Sequence, residues 1–146
     1  MPNFKISLLL LLLSAGFFTA CNKDDDDDKS KTEILTGPSC WLTVKSETFD
    51  ANSGVWIESQ VPNCDKDDCT RFYSDGVIII DEGPLLCDAG DPLTIEGTWF
   101  LSLDESSITL TLDGVTVPAK IIEISDNKLV VEIEFLSYKT RTTYNN

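Results

Sequence analysis

The chain has 146 residues, 25 of them acidic, 11 basic and none histidine, for a formal net charge of −14. That length points to one domain. The acidity excludes a basic, phosphate-reading face and with it nucleic acid, and the lack of histidine excludes Ser-His-Asp and Cys-His catalysis and most zinc enzymes. With 42% apolar residues the chain can still bury a core.

Residues 1–20 read as an address. Lys5 is the only charge before position 21, Ile6 to Leu13 is an unbroken apolar run, and Ser14, Ala15, Gly16, Thr19 and Ala20 supply small residues after it. A positive start, a short apolar centre and a small-residue end make a secretory signal peptide. A transmembrane helix needs about 20 apolar residues, and this run stops at Cys21. Phe18-Thr19-Ala20-Cys21 resembles the lipobox of bacterial lipoproteins. The resemblance implies that the Cys21 thiol is acylated, that residues 1–20 are removed, and that the membrane is reached through the lipid. Two or three acyl chains anchor stably at ~0.8 kcal/mol per buried CH₂. The alternative is an ordinary signal peptide cut elsewhere, with Cys21 a plain thiol.

Residues 21–31 form the expected linker. Asp24 to Asp28 are five consecutive carboxylates, which repel one another and stay solvated. They lack the spaced ligands and the glycine of a calcium loop. Lys23-Asp24-Asp25 resembles the lysine-plus-acidic export tag of some Gram-negative lipoproteins, which implies a place on the outer face of the outer membrane; the alternative is a plain spacer on a domain that faces the periplasm. Loss of residues 1–20 removes Lys5 and no acid, so the remainder is more acidic still and stands off anionic lipid heads. Ser30 followed by Glu33 is a capping-box pattern for a short helix, ended by Gly37-Pro38. The body of the domain is expected over 32–142, with 143–146 a tail.

Four cysteines remain: Cys40, Cys64, Cys69 and Cys87. In an oxidising compartment an even number reads as two disulfides, with three possible pairings. Cys64 and Cys87 flank the expected hairpin 69–83, so their bridge would staple its ends and leave Cys40 for Cys69. A local Cys64–Cys69 ring is the alternative. A zinc site would want Cys-x₂-Cys pairs, and four residues separate Cys64 from Cys69.

From residue 40 onward the apolar period is two. Ile95, Trp99, Leu101 and Leu103 share a face, then Ile108, Leu110 and Leu112, then Leu129, Val131, Ile133 and Phe135. Such alternation marks half-buried antiparallel strands. Turn residues divide them at Ser74-Asp75-Gly76, Asp104-Glu105-Ser106, Asp113-Gly114 and Asp126-Asn127. A slip between Ile121 and Ile124 indicates a bulge. About eight strands result: 40–48, 55–60, 69–74, 77–82, 94–103, 107–112, 115–124 and 128–138. An all-β, up-and-down meander with one apolar face hides that face by closing into a barrel, and a two-sheet sandwich is the alternative.

Leu35-Thr36-Gly37, the Cys64-Asp65-Lys66-Asp67-Asp68 block, Phe72-Tyr73-Ser74-Asp75-Gly76, Asp81-Glu82-Gly83, Cys87-Asp88 with Asp91-Pro92, and Gly97-Thr98-Trp99 occur in this order. Together they resemble the lipocalin-like domain of Gram-negative lipoproteins over roughly 30–140. The resemblance implies an eight-stranded calycin-type barrel. Cys40 and Cys69 both stand where that family carries other residues, which supports an added bridge between them.

A barrel of this size has room for side chains or for one small apolar ligand. Trp99, Leu101, Ile108, Leu110, Val131, Ile133 and Phe135 are the candidate lining residues. The alternative is that they simply fill the core, and that the protein meets another envelope protein through the loops Ser59–Asn63 and Gly83–Leu86. In that region burial of Leu85 and Leu86 under a Cys64–Cys87 bridge is expected. Trp41 and Trp56 read as core or rim packing. Carboxylate catalysis needs perturbed, cleft-placed pairs, and the acids here fall in turns and on outward positions. The expected activity is therefore non-enzymatic binding without a cofactor.

Overall fold

The computed structural model describes residues 29–146. The expected signal segment, the lipidation candidate Cys21 and the acidic run lie outside the described residues. Lys29 and Lys31, at the end of the expected linker, are already part of the folded body. Lys29 Nζ pairs with Asp126 at 2.8 Å, and Lys31 Nζ donates to the Glu105 carbonyl at 2.6 Å.

The first element is α1 (Lys31–Thr36), and its start is the expected capping box. The Glu33 N–H donates to Ser30 Oγ at 3.2 Å and the Ser30 N–H donates to Glu33 Oε2 at 2.8 Å. Two otherwise orphan donors are satisfied in this way, and Leu35 is left pointing into the core, fully buried.

Nine strands follow: β1 (Trp41–Asp50), β2 (Val55–Ser59), β3 (Cys69–Phe72), β4 (Val77–Asp81), β5 (Thr94–Leu101), β6 (Ser107–Leu112), β7 (Val115–Ser125), β8 (Lys128–Phe135) and β9 (Tyr138–Asn145). A single helical turn, α2 (Asn63–Lys66), precedes β3. All pairings are antiparallel. The ring runs β1-β3-β4-β5-β6-β7-β8-β9 and closes by pairing β9 with β1, so the fold is an all-β, closed eight-stranded barrel with a short helix.

The count of eight is thus right for the ring but differs in membership. β2 leaves the ring and pairs with the second half of β1, from Ser46↔Ser59 to Asp50↔Val55. The eighth ring strand is β9, whose residues were expected partly in the preceding strand and partly in a tail at 143–146. Thr142↔Ser46 and Tyr144↔Thr43 are among the pairs that close the barrel. Leu103 also departs from expectation: β5 ends at Leu101, and Leu103 sits fully exposed in the following turn.

Turn chemistry sets the register. Asp113 (φ 47) and Gly114 (φ 78) form the two-residue connection between Leu112 and Val115. Positive φ at both positions is what the twist of a tight hairpin demands, and Asp-Gly supplies it cheaply. The expected bulge is present, with the register shifting between Ile121 and Glu123. A second bulge, between Thr43 and Lys45, was not anticipated.

The core lies at the end where α1 docks. Leu35, Trp41, Ile78, Ile108 and Leu129 are essentially inaccessible. The Trp41 indole N–H donates to the Leu35 carbonyl at 3.0 Å, and the Trp99 indole N–H donates to the Tyr73 carbonyl at 3.0 Å. Each indole therefore buries a large apolar body without orphaning its donor.

Two disulfides join Cys40 to Cys69 and Cys64 to Cys87, with Cα separations of 5.3 and 5.2 Å. The first ties the start of β1 to β3. The second ties α2 to the long β4–β5 loop.

Candidate functional site

The candidate site arises where β1 changes partner. On one edge Trp41 and Leu42 pair with β3, while Ser46 to Asp50 pair with β2. Thr43, Val44 and Lys45 have no strand beside them on that edge. An opening of about 330 Å³ forms there, lined by Thr43, Ser46, Gln60, Val61, Pro62, Asp65, Asp68, Thr70, Ile80, Thr142 and Tyr144. Beneath it lies a smaller apolar pocket of about 50 Å³, lined by Trp41, Thr70, Phe72, Ile80, Ile108, Leu110, Ala119, Leu129, Val131, Ile133 and Tyr144. Thr70, Ile80 and Tyr144 line both, so the hydroxyl-rich vestibule borders the apolar pocket.

Of the seven expected lining residues, Ile108, Leu110, Val131 and Ile133 line the pocket. Trp99 and Leu101 belong to the core packed around it. Trp99 meets Phe72 edge-on with ring centroids 5.3 Å apart, and Phe72 in turn forms pocket wall. Phe135 is a correction: it is 52% exposed. The period of two does reach it, but the β7–β8 ladder stops at Ala119↔Ile133, so Glu134 and Phe135 pair with β9 alone. Pro118, with no N–H to donate, occupies the next β7 position.

Sequence reasoning missed Trp41, Thr70, Phe72, Ile80, Ala119, Leu129 and Tyr144 as wall residues. For β9 a signal existed. Tyr138, Thr140, Thr142 and Tyr144 alternate with Lys139, Arg141 and Thr143, a period of two whose inward face carries hydroxyls instead of aliphatics.

The electrostatics of the vestibule are one-sided. Burial pushes the Asp68 carboxyl above its ordinary range, and neighbouring Asp65 and Asp67 add to this. Burial also raises Glu82, with Asp68 and Asp91 acting in the same direction. Tyr144 is raised by burial as well, so its phenol stays a neutral hydrogen-bonding group at physiological pH. One wall of the mouth is held by the Cys64–Cys87 bridge and by two carboxylates. The Leu85 N–H donates to Asp67 Oδ2 at 3.0 Å, and the Gly83 N–H donates to Asp68 Oδ1 at 3.3 Å. Leu85 and Leu86, expected under the bridge, are instead 54% and 38% exposed, because the clamp acts on the backbone of this loop and leaves those side chains outside. Cys64, Asp65 and Cys87 cluster, but both sulfurs are committed to each other, so no thiolate is left there for a metal.

Trp56 lies outside the barrel at the mouth. It packs edge-on against Phe49 with centroids 5.3 Å apart, and the Arg141 guanidinium sits 4.1 Å above its ring. Glu132 holds both Lys139, at 2.7 Å, and Arg141, at 3.1 Å. This is rim packing, as the sequence led us to expect.

No protein-family model and no curated protein matches the chain. Among solved structures it is similar to a lipocalin-like protein from Bacteroides uniformis, at 15% identity over 72% of this chain and 97% of that one, with a TM-score of 0.43.

Proposed function

We propose that this chain is an exported, lipid-anchored binding protein whose barrel takes one small amphipathic molecule. The observation that carries the binding reading is the adjacency of vestibule and pocket, which share Thr70, Ile80 and Tyr144 as wall. Ligand sites usually enclose ~300–1,000 Å³. The vestibule is of that order and the pocket is not, so the body of the ligand belongs in the vestibule and only a short apolar end reaches the floor. Thr43, Ser46, Thr142 and Tyr144 offer hydroxyls to its polar part. Asp65 and Asp68 make that part neutral or cationic, since a carboxylate there would face like charge.

The anchoring reading rests on the apolar segment before Cys21 and on the two disulfides, which suit an oxidising compartment. Among the described residues no helix is long and apolar enough to cross a membrane. Attachment through a lipid on Cys21 is what the lipobox resemblance of Phe18-Thr19-Ala20-Cys21 supports. The lysine-plus-acidic stretch after that cysteine supports attachment to the outer membrane. An intact mass beginning at an acylated Cys21 is the expected result, and one retaining Met1 would sink this part.

Displacement of a hydrophobic fluorophore tests the binding part. Octanol and octylamine are expected to displace it at least tenfold better than octanoate; Ile133→Trp, which fills the pocket floor, is expected to weaken all three, and Asp68→Asn, in the vestibule, to narrow the difference between them. If none of the three competes, and native mass spectrometry finds the purified chain empty, the second reading stands. That reading is a filled barrel that contacts another envelope protein, and it is favoured by the small inner volume and by exposed Leu85 and Leu86.

A further inference from the structure

The hairpin strand that leaves the ring has one unpaired edge. Among the described residues β2 pairs with β1 alone, whereas every ring strand has a neighbour on both sides. Its far edge therefore presents backbone N–H and C=O groups with no strand opposite. Exposed edges of this kind are usually blunted by a lysine, a proline or a bulge. Val55-Trp56-Ile57-Glu58-Ser59 contains none of the three, its one charge is Glu58, and its ladder with β1 runs without a register shift. Val55 and Ile57 are each 52% exposed, and both are β-branched residues suited to a growing sheet.

β2 is also held in place before anything binds. Trp56 is gripped by Phe49 and by Arg141, and Glu132 fixes Arg141 from the neighbouring strand. Little conformational freedom remains to be lost when a further strand is laid beside it.

We propose that the free edge of β2 is a strand-addition site for an extended segment of another protein, one that alternates apolar with basic residues. The extended form follows from the edge itself, because only another extended backbone matches donors and acceptors that recur along a strand. Apolar residues at every second position meet Val55 and Ile57. Basic residues answer Glu58, whose side chain is exposed although Lys45 lies 3.4 Å from it, and the formal charge of −14 on the chain as a whole. A second copy of the chain brings a formal charge of −14 against −14, which opposes self-pairing. Five residues offer only about 16 Å of edge, so the contact is a weak and reversible one.

An eight-residue peptide alternating valine and lysine tests this, together with two isomers N-methylated at alternate amides, one set on each edge of the extended peptide. Binding to the purified chain is followed by fluorescence anisotropy. Strand addition requires one peptide edge and not the other. One isomer is therefore expected to bind within threefold of the parent peptide and the other at least tenfold more weakly. Ile57→Lys, at an exposed position, is expected to weaken the parent peptide at least tenfold while leaving the unfolding midpoint unchanged. Equal binding by both isomers, or no binding at millimolar peptide, overturns the proposal. So does a dimer of the free chain in sedimentation that the peptide dissociates, which assigns the edge to a second copy. Slow hydrogen exchange in the free monomer at those β2 amides that do not donate to β1 also overturns it, because another part of the chain would then already cover the edge.

Discussion

At the end of the barrel where α1 docks, inward positions carry Trp41, Ile78, Trp99, Ile108 and Leu129, all nearly or fully buried. At the opposite end the same alternation places Val55, Ile57, Val115 and Phe135 on inward positions, and each is more than half exposed. Between the two ends the inward residues of β1 and β9 are Thr43, Ser46, Thr142 and Tyr144. Alternation therefore fixes which side of a strand faces inward but not how deep inward is. Depth depends on what caps the barrel. The α1 end has a helix, short turns and two indole N–H groups satisfied by carbonyls, whereas the mouth has a departing hairpin, a disulfide-clamped loop and a surplus of carboxylates.

The largest expected contrast comes from truncating one aromatic at each end. Trp41→Ala removes a fully buried ring and orphans the Leu35 carbonyl that its indole served, and large aromatic-to-alanine changes in cores cost ~3–5 kcal/mol. Phe135→Ala, at the mouth, is expected to cost less than ~0.5 kcal/mol, as exposed substitutions do. Urea unfolding of both variants checks this, and equal losses would mean that the mouth is packed as tightly as the base.

The bridges come next. Their sequence separations are 29 and 23 residues, so the chain-entropy model assigns each ~3–4 kcal/mol. Replacing Cys40 and Cys69 by serine, or Cys64 and Cys87 by serine, should therefore lower stability to a similar extent. Ligand binding should separate the pairs. Loss of Cys64–Cys87 frees the loop beside Asp65 and Asp68 and is expected to weaken the vestibule ligand severalfold more than loss of Cys40–Cys69. Fluorophore displacement in the two double variants reads this, and indistinguishable affinities would detach the mouth loop from the site.

Acid should act on the two ends with opposite sign. In the β5–β6 turn, near α1, Asp104 is held at about 2 by the Ser102 hydroxyl, with the Ser106 N–H and hydroxyl assisting. A carboxyl lowered on folding contributes stability above its ordinary pKa and loses it as pH falls through the folded value. Asp104→Asn should therefore lower the unfolding midpoint at pH 7 and match the parent below about pH 2. At the mouth Asp68 and Glu82 are raised, by burial first and then by other carboxylates. Their contribution is full below the ordinary carboxylate range and is lost as pH rises through the folded values. Asp68→Asn with Glu82→Gln should accordingly raise the midpoint at pH 7 and bring no gain at pH 3. Thermal melts across that range decide it, and parallel curves for both variants would erase the electrostatic distinction between the ends.

Much of the barrel was legible in the sequence because its rules are local. Ser30 and Glu33 form their box within one turn, Asp113-Gly114 makes its own hairpin, and the β7 bulge shows as a broken period. The limits of legibility were tertiary. Nothing within β8 says that β7 stops pairing at Ile133, so Phe135 read as wall. Nothing within β2 says that it leaves the ring. β9 closes the barrel with threonines and tyrosines inward, and a search for aliphatic alternation passes over it. The four wall residues that were found sit on β6 and β8, where the aliphatic alternation is unbroken. The vestibule was invisible because it is a gap between strands, which no residue encodes by itself.

The smallest expected effect concerns the tip of the β8–β9 hairpin. Leu136 has φ 57 and is 86% exposed. A branched side chain in the left-handed region costs ~1 kcal/mol, because its Cβ crowds the following carbonyl. Asparagine tolerates that region far better and, unlike glycine, does not add freedom to the unfolded chain. Leu136→Asn is therefore expected to stabilise the fold by up to ~1 kcal/mol in urea unfolding, with the slope unchanged. The same substitution removes an apolar side chain from the mouth, so its effect on partners is informative too. If the mouth is merely a solvent-facing end, stability rises and nothing else changes. A fall in stability would mean that Leu136 makes a contact worth more than its backbone strain, and the mouth would then be packed more like the base.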